Sequence, residues 1–190
     1  MGRPREFDEE RAVEGAMRAF WASGYARTST QELCEATGLG RSSIYNTFTS
    51  KHALFLKSLR RYMARIRRRQ AEVLESELPV REKLRRLLEL AVEDEFGDQP
   101  GCLVVNSILE LSDSDEEVAA ELRRDYDRRI AVLRGIVEDA RRRGEVGADV
   151  DPEAFAHFIA TTVSGMRIAA KNGASREVVE SIAETALRAL

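Results

Sequence analysis

The stretch TGLGRSSIYNTFTSKHALF, residues 37–55, decides the fold because it sets short polar side chains among apolar residues at helical spacing. The pattern predicts two short helices, near residues 30–37 and 41–47. Gly38 suits the turn between them, where a positive φ is cheapest for glycine, and Gly40 suits the N-cap of the second helix. The apolar residues that would pack the two helices together and against the preceding helix are Leu33, Ala36, Leu39, Ile44 and Phe48.

This arrangement is typical of a helix-turn-helix, whose second helix enters the major groove of DNA. Arginine can pair with guanine and asparagine with adenine, while the threonine methyl can touch thymine. Lys51 opens a long helix, where its charge and the free N–H groups favour a phosphate. The predicted DNA-binding residues are Arg41, Ser42, Ser43, Tyr45, Asn46, Thr47 and Lys51, with the hydroxyls of Thr28 and Thr30 and a basic N-terminal tail of Arg3 and Arg5.

The rest of the chain also has helical periodicity, and no segment has the period of a strand. We therefore predict an all-α fold of about nine helices. Ser114 and Glu117 form an S-x-x-E capping box, and Asp151-Pro152 is an N-cap followed by proline at the first helical position. The other helices are predicted near 8–24, 51–76, 80–96, 102–111, from the capping box to about 143, from 152, and from 176 to the end.

The formal net charge of −3 hides an asymmetry along the chain. Residues 1–69 hold 14 Lys and Arg against 7 Asp and Glu, whereas residues 70–190 hold 16 against 26. A basic front half is expected to meet a polyanion. We predict a DNA-binding domain over 1–50 and a second domain over 51–190, linked by the helix near 51–76.

The cellular setting is predicted to be the cytoplasm. The opening MGRPREFDEER lacks the apolar run of a signal peptide, and the least charged segment, 154–166, is too short to span a bilayer. Cys34 and Cys102 are expected to be free thiols. No spacing of His, Cys or carboxylates predicts a metal site, and no cofactor is expected.

Two catalytic interpretations of the 37–55 stretch fail on chemistry. Ser42, Ser43 and His52 would need an orienting acid and an oxyanion hole to act as a hydrolase. Gly38-x-Gly40 lacks the preceding strand, the third glycine and the downstream acid of a nucleotide-binding loop. Neither pattern predicts an enzyme.

The segment TSTQELCEATGLGRSSIYNTFTSKHALF, residues 28–55, resembles the DNA-binding signature of the tetracycline-repressor (TetR) family of bacterial regulators. The resemblance spans about residues 8–60 and rests on the Gly-Leu turn, the Tyr-x-x-Phe and the Ser-Lys-x-x-Leu. It implies that Tyr45 and Lys51 contact phosphates, and that the readers of sequence are Arg41, Ser42, Ser43, Asn46 and Thr47. Asn46 and Thr47 depart from the aromatic and histidine residues frequent in the family, as do Cys34, Gly40, Thr49 and His52 at their positions.

The same resemblance implies a C-terminal helical domain that dimerises and holds an effector pocket among the helices over 80–143. Candidate pocket residues are Phe96, Cys102, Asn106 and Tyr126. Cys102 is either a reactive thiol at a helix start or a small buried residue. The last two helices have wide apolar faces, which fit either a four-helix dimer interface or the core of one chain. The candidate interface residues are Phe155, Phe158, Ile159, Thr162, Met166, Val179, Ile182 and Ala186.

These features favour a ligand-responsive transcriptional regulator, a repressor that binds a near-palindromic operator as a homodimer. Its expected partners are double-stranded DNA, itself and a small-molecule effector, with no membrane. A small helical enzyme using the same pocket is a second hypothesis, without converging catalytic groups to support it. A dimerisation adaptor that has lost DNA binding is a third, which Arg41, Asn46 and Lys51 argue against.

Overall fold

The computed structural model describes residues 3–97 and 101–189, with side chains from residue 9 onward, and this part of the chain is built of helices without strands. The elements follow the predicted order, and the first helix begins five residues earlier than expected. The helices are α1 (Arg3–Ser23), α2 (Thr30–Thr37), α3 (Arg41–Phe48), α4 (Lys51–Leu74), α5 (Val80–Phe96), α6 (Leu103–Leu111), α7 (Glu116–Arg142), α8 (Pro152–Lys171) and α9 (Arg176–Leu187).

Side-chain caps fix where several of these helices begin. Ser29 and Glu32 form a reciprocal capping box at α2. Asp151 caps α8, with Pro152 at its first position. The predicted capping box of Ser114 and Glu117 at α7 is wrong, because the helix begins at Glu116 and its N-cap is therefore Asp115. The Asp115 carboxylate accepts the N–H of Val118 at 3.1 Å.

The chain divides into two compact units. The first contains the described residues up to Ile66 together with Asn106–Glu121. It is therefore larger than the predicted DNA-binding domain of residues 1–50, because the first two-thirds of α4 and the α6–α7 junction pack with α1–α3. Its fully buried side chains include Met17, Phe20, Leu33, Ile44, Phe48, Leu54, Phe55, Leu59 and Tyr62.

The second unit contains Arg67–Val105 and Leu122 onward. Its core lies between α5, α7, α8 and α9, and it includes Leu84, Leu88, Leu133, Val137, Ile159, Met166 and Val179. In the described residues, no helix is both long enough and apolar enough to cross a membrane.

Candidate nucleic-acid interface

The turn between α2 and α3 has the predicted glycine geometry. Gly38 has a φ of 69° and donates its N–H to the carbonyl of Cys34, which closes the end of α2. A left-handed residue of this kind is cheapest as glycine. Gly40 is extended at the N-cap of α3, and a Cβ would meet open space there, so α3 begins without a side-chain cap.

Helix α3 has a buried face and a polar exposed face. Ile44 and Phe48 are 1% and 2% exposed and anchor the helix in the core of the first unit. The opposite face is turned to solvent and consists of Arg41, Ser42, Ser43, Asn46 and Thr47. These are the five side chains that the sequence predicted to read DNA bases, and α3 presents all of them from one short helix.

Tyr45 joins α3 to the start of α2. Its hydroxyl lies 3.3 Å from the Thr30 hydroxyl, and the Arg41 guanidinium lies 5.9 Å from the centre of its ring. Both Tyr45 and Thr30 are half-buried. The two hydroxyls therefore form one small polar group beside the exposed face of α3.

Lys51 lies at the first position of α4, directly after α3. The Ser50 hydroxyl caps α4 by accepting the N–H of Ala53 at 2.9 Å. The Lys51 ammonium lies 4.6 Å from the centre of the Tyr25 ring and 3.5 Å from the carbonyl oxygen of Ala26. The lysine is half-buried, so its charge is held close to the protein surface by the turn after α1.

Three other residues were predicted to contact DNA. Thr28 is 1% exposed, and its hydroxyl donates to the carbonyl of Gly24 at 2.6 Å. The prediction that Thr28 contacts a phosphate is therefore wrong, because its hydroxyl closes the turn between α1 and α2. Arg3 and Arg5 fall in the first turn of α1 rather than in a tail, and their side chains lie outside the described ones.

The arginine-rich part of α4 is paired with acids. Arg61 contacts Glu14 at 2.7 Å in the first unit, and Arg67 contacts the buried Asp125 at 2.7 Å in the second. Arg69 binds both Glu93 and Asp94. These ion pairs offset part of the positive charge of this helix.

The four predicted pocket residues are distributed over both units. Phe96, Cys102 and Tyr126 belong to the second unit and Asn106 to the first. Cys102 is 8% exposed, and the Arg176 guanidinium lies 5.3 Å from the centre of the Phe96 ring. Tyr126 is 37% exposed, with its hydroxyl 2.8 Å from Nδ1 of His157.

The predicted interface residues divide between the core and the surface of the second unit. Phe158 is 42% exposed, whereas Thr162 and Ile182 are half-buried. The other five pack inside one chain and have almost no surface left for a partner: Phe155, Ile159, Met166, Val179 and Ala186. Two exposed apolar residues that the sequence analysis missed, Ile168 and Val178, lie on the same two helices.

A buried charge cluster also escaped the sequence analysis. Arg167 is 6% exposed and lies 3.2 Å from Asp94 and 3.7 Å from Glu95. Burial raises the pKa of Glu95, although the nearby Arg167 acts in the opposite direction. The sequence feature that could have predicted this cluster is an arginine in an otherwise apolar stretch of α8, together with the two adjacent acids near the end of α5.

Comparison with known proteins places this geometry in a family. Residues 12–57 match the family model of bacterial regulatory proteins of the tetR family, and residues 80–186 match that of the tetracyclin repressor-like C-terminal domain. The chain is 34% identical to the HTH-type transcriptional repressor ComR of Escherichia coli, over 98% of this chain and 90% of the relative. It is 25% identical to the repressor DhaR of a Mycobacterium species, over 94% and 89% of the two chains.

Solved structures agree with these matches. A cysteine-substituted form of the TetR-family regulator CifR, bound to 26-base-pair operator DNA, has a TM-score of 0.84 and 33% identity, with 94% of each chain covered. A TetR regulator from Chloroflexus aurantiacus has a TM-score of 0.90 and 25% identity, with 98% of this chain and 95% of that one covered.

Proposed function

The chain belongs to the TetR family of transcriptional regulators. From that premise we propose which of its side chains contact DNA bases and which contact DNA phosphates. The protein is a ligand-responsive, DNA-binding transcriptional repressor. Its partners are double-stranded DNA, a second copy of itself and a small-molecule effector. We propose that it acts in the cytoplasm, where a bacterial operator lies, and that it catalyses no reaction.

The assignment of the residues that contact DNA bases rests on one observation: α3 has a buried apolar face and an exposed polar face. Ile44 and Phe48 fix the helix from one side, which leaves the polar side chains of the other side free to approach base edges. Arg41 and Asn46 have the donor geometry for guanine and adenine, respectively. The short hydroxyls of Ser42 and Ser43 allow the helix to lie deep in the major groove.

The anchors are the groups around this helix. Tyr45 and Thr30 offer two adjoining hydroxyls, and Lys51 offers a charge at a helix N-terminus. Such groups contact phosphates, which fix the position of the protein but carry no sequence information. Their loss should therefore weaken binding to all sequences alike.

Dimerisation would give the two α3 helices a twofold relation, matched to two half-sites about 34 Å apart. We propose that the exposed apolar residues of α8 and α9 form this interface, with Phe158, Ile168 and Val178 at its centre. The operator would then be a near-palindrome. The similar CifR is bound to a 26-base-pair operator, which is long enough to hold two half-sites one helical turn apart.

The effector would act from the second unit. It can weaken DNA binding only if it has a higher affinity for a dimer whose α3 helices no longer match the half-sites. Phe96, Cys102 and Tyr126 remain candidate lining residues there.

The test is a titration of the purified dimer against DNA from its own promoter region at several salt concentrations. Lys51→Ala should weaken binding to every sequence and lower the salt slope by about 0.9, the value of one phosphate contact. Asn46→Ala should cost about 1–3 kcal/mol on the preferred sequence and relax the preference at one base position. Arg128→Ala, which removes an exposed charge from the second unit, is the control and should change neither quantity.

Two results would contradict the proposal. Binding that does not respond to salt would exclude a phosphate-anchored complex. Equal, sequence-independent losses in both variants would show that Asn46 does not read a base.

A further inference from the structure

A carboxylate of α6 holds the turn that follows α1. Glu110 accepts the N–H of Tyr25 on Oε2 at 2.9 Å and the N–H of Ala26 on Oε1 at 2.6 Å. Both oxygens are used, and hydrogen bonds to an ionised acceptor are the stronger kind. Gly24, with a φ of 80°, ends α1 just before these donors, and a Cβ on it would lie 2.9 Å from Oε2. The glycine therefore leaves room for the carboxylate.

The same turn holds Lys51. The Tyr25 ring lies under the lysine ammonium, and the carbonyl of Ala26 accepts from it. The ring is itself fixed by Phe55, with centroids 4.9 Å apart. The two residues whose N–H groups Glu110 binds, Tyr25 and Ala26, are thus also the two that contact the Lys51 ammonium, so Glu110 is connected to the lysine through a single turn.

Two further contacts hold the α6–α7 junction to the first unit. Asp115 lies 2.7 Å from Nε2 of His52, the residue after Lys51. Arg60 donates to Glu121 at 2.8 Å. The position of Glu110 is therefore determined by the segment Asn106–Glu121 as a whole, not by one flexible side chain.

We propose that Glu110 is a positioning residue for DNA binding: through the Tyr25–Ala26 turn, it holds the Lys51 ammonium where it meets a phosphate. This inference rests on the proposed role of Lys51 as a phosphate anchor. It extends that role to a residue of α6 that is distant in sequence from the helix-turn-helix.

Electrostatics alone makes the opposite prediction for this residue. Removing a negative charge from a protein that binds a polyanion should tighten binding, because repulsion falls. If Glu110 positions Lys51, its neutralisation should weaken binding instead. The sign of the change therefore separates the two explanations.

The experiment compares Glu110→Gln with Asp113→Asn, which makes the same charge change at an exposed position of the same segment. Binding of the full-length dimer to labelled promoter DNA is measured by fluorescence anisotropy over a salt series. Asp113→Asn should bind as tightly as the parent or more tightly. Glu110→Gln should bind about three- to tenfold more weakly, within the range of coupling between side chains of one network. Its salt slope should fall towards that of Lys51→Ala.

A double variant tests the connection itself. In Lys51→Ala, the added Glu110→Gln change should cost little further affinity, because the group that Glu110 positions is gone. Equal or tighter DNA binding by a folded Glu110→Gln protein would overturn the proposal, as would full additivity in the double variant. Thermal melting verifies folding.

If Glu110→Gln fails to fold, Glu110→Asp replaces it. That variant keeps the charge but withdraws the carboxylate by one methylene, so it should show the same loss, and unchanged affinity would overturn the proposal. The anchor proposal fails separately: it falls if Lys51→Ala leaves affinity and salt slope unchanged, whatever Glu110→Gln does.

Discussion

Gly15 offers the sharpest test of how α1 carries the DNA-reading helices. A Cβ built on this residue would lie 2.0 Å from the carbonyl oxygen of Ala36 and 2.8 Å from its carbonyl carbon. Both atoms are backbone atoms of α2, so no side-chain rotation can relieve the contact. An ordinary contact needs at least 3.4 Å, so Gly15→Ala must separate α1 from α2 by roughly 1.4 Å.

The energetic consequence has two opposing parts. Forcing an extra methyl group into a packed contact costs about 1–3 kcal/mol, and a contact between two backbones belongs at the upper end. Replacing glycine by alanine inside a helix stabilises that helix by up to about 1 kcal/mol. We therefore expect a net loss of about 2 kcal/mol, which lowers the melting temperature by about 4–8 °C in a chain of this length.

Gly135→Ala in α7 is the matched control, since nothing lies within 4 Å of a Cβ there. It should raise the melting temperature, because only the gain in helix propensity remains. Calorimetry or circular dichroism of both variants gives the comparison, and anisotropy gives DNA affinity. Gly15→Ala should also bind DNA more weakly, since α2 carries α3. A Gly15→Ala protein as stable as the parent would refute the close approach of α1 and α2.

Two further predictions concern the second unit. Burial raises the pKa of Glu95 despite Arg167, so the ionised carboxylate destabilises the folded protein at pH values above the raised pKa. This destabilisation disappears as the pH falls to 4.5, the ordinary pKa of a glutamate. Glu95→Gln should therefore melt higher than the parent at pH 7.5, with a gain that shrinks towards pH 4.5, and a lower melting temperature at pH 7.5 would contradict this. Phe158→Asp should shift the dimer to monomer in light scattering, whereas Leu78→Asp, an equally exposed position in the α4–α5 turn, should not; a dimer that survives Phe158→Asp excludes the α8 interface.

The features that the sequence predicted well are governed by residues close together in the chain. The N-cap at Asp151 and the glycine turn at Gly38 each involve donors and acceptors within four residues. Their chemistry is therefore visible in the sequence itself. The inward positions of α3 followed for the same reason, since helical spacing alone separates Ile44 and Phe48 from the polar face.

The features that escaped prediction depend on distant partners. Thr28 is an exception, because the Gly24 carbonyl that accepts its hydroxyl at 2.6 Å lies only four residues away. Glu110 and Asp115 belong to the first unit although they lie far beyond residue 50, because they bind residues more than sixty positions away. No periodicity in the sequence records such pairs.

The apolar residues of α8 show that a correctly predicted helix can still leave open which of its faces packs inside the chain. Apolar residues cover more than half of this helix, so spacing alone fits both an intrachain core and a dimer. The structure gives Ile159, Val163 and Met166 to the core, with at most 7% exposure. A second row of α8 residues remains exposed, at intervals of three, four and three positions: Phe158, Thr161, Gly165 and Ile168. Such spacing is the repeat by which helices pack on one another, and the small residues at its centre allow a close approach by a twofold-related copy. The structure thus assigns one face of α8 to the core of the chain, and the proposed dimer interface lies on a different face.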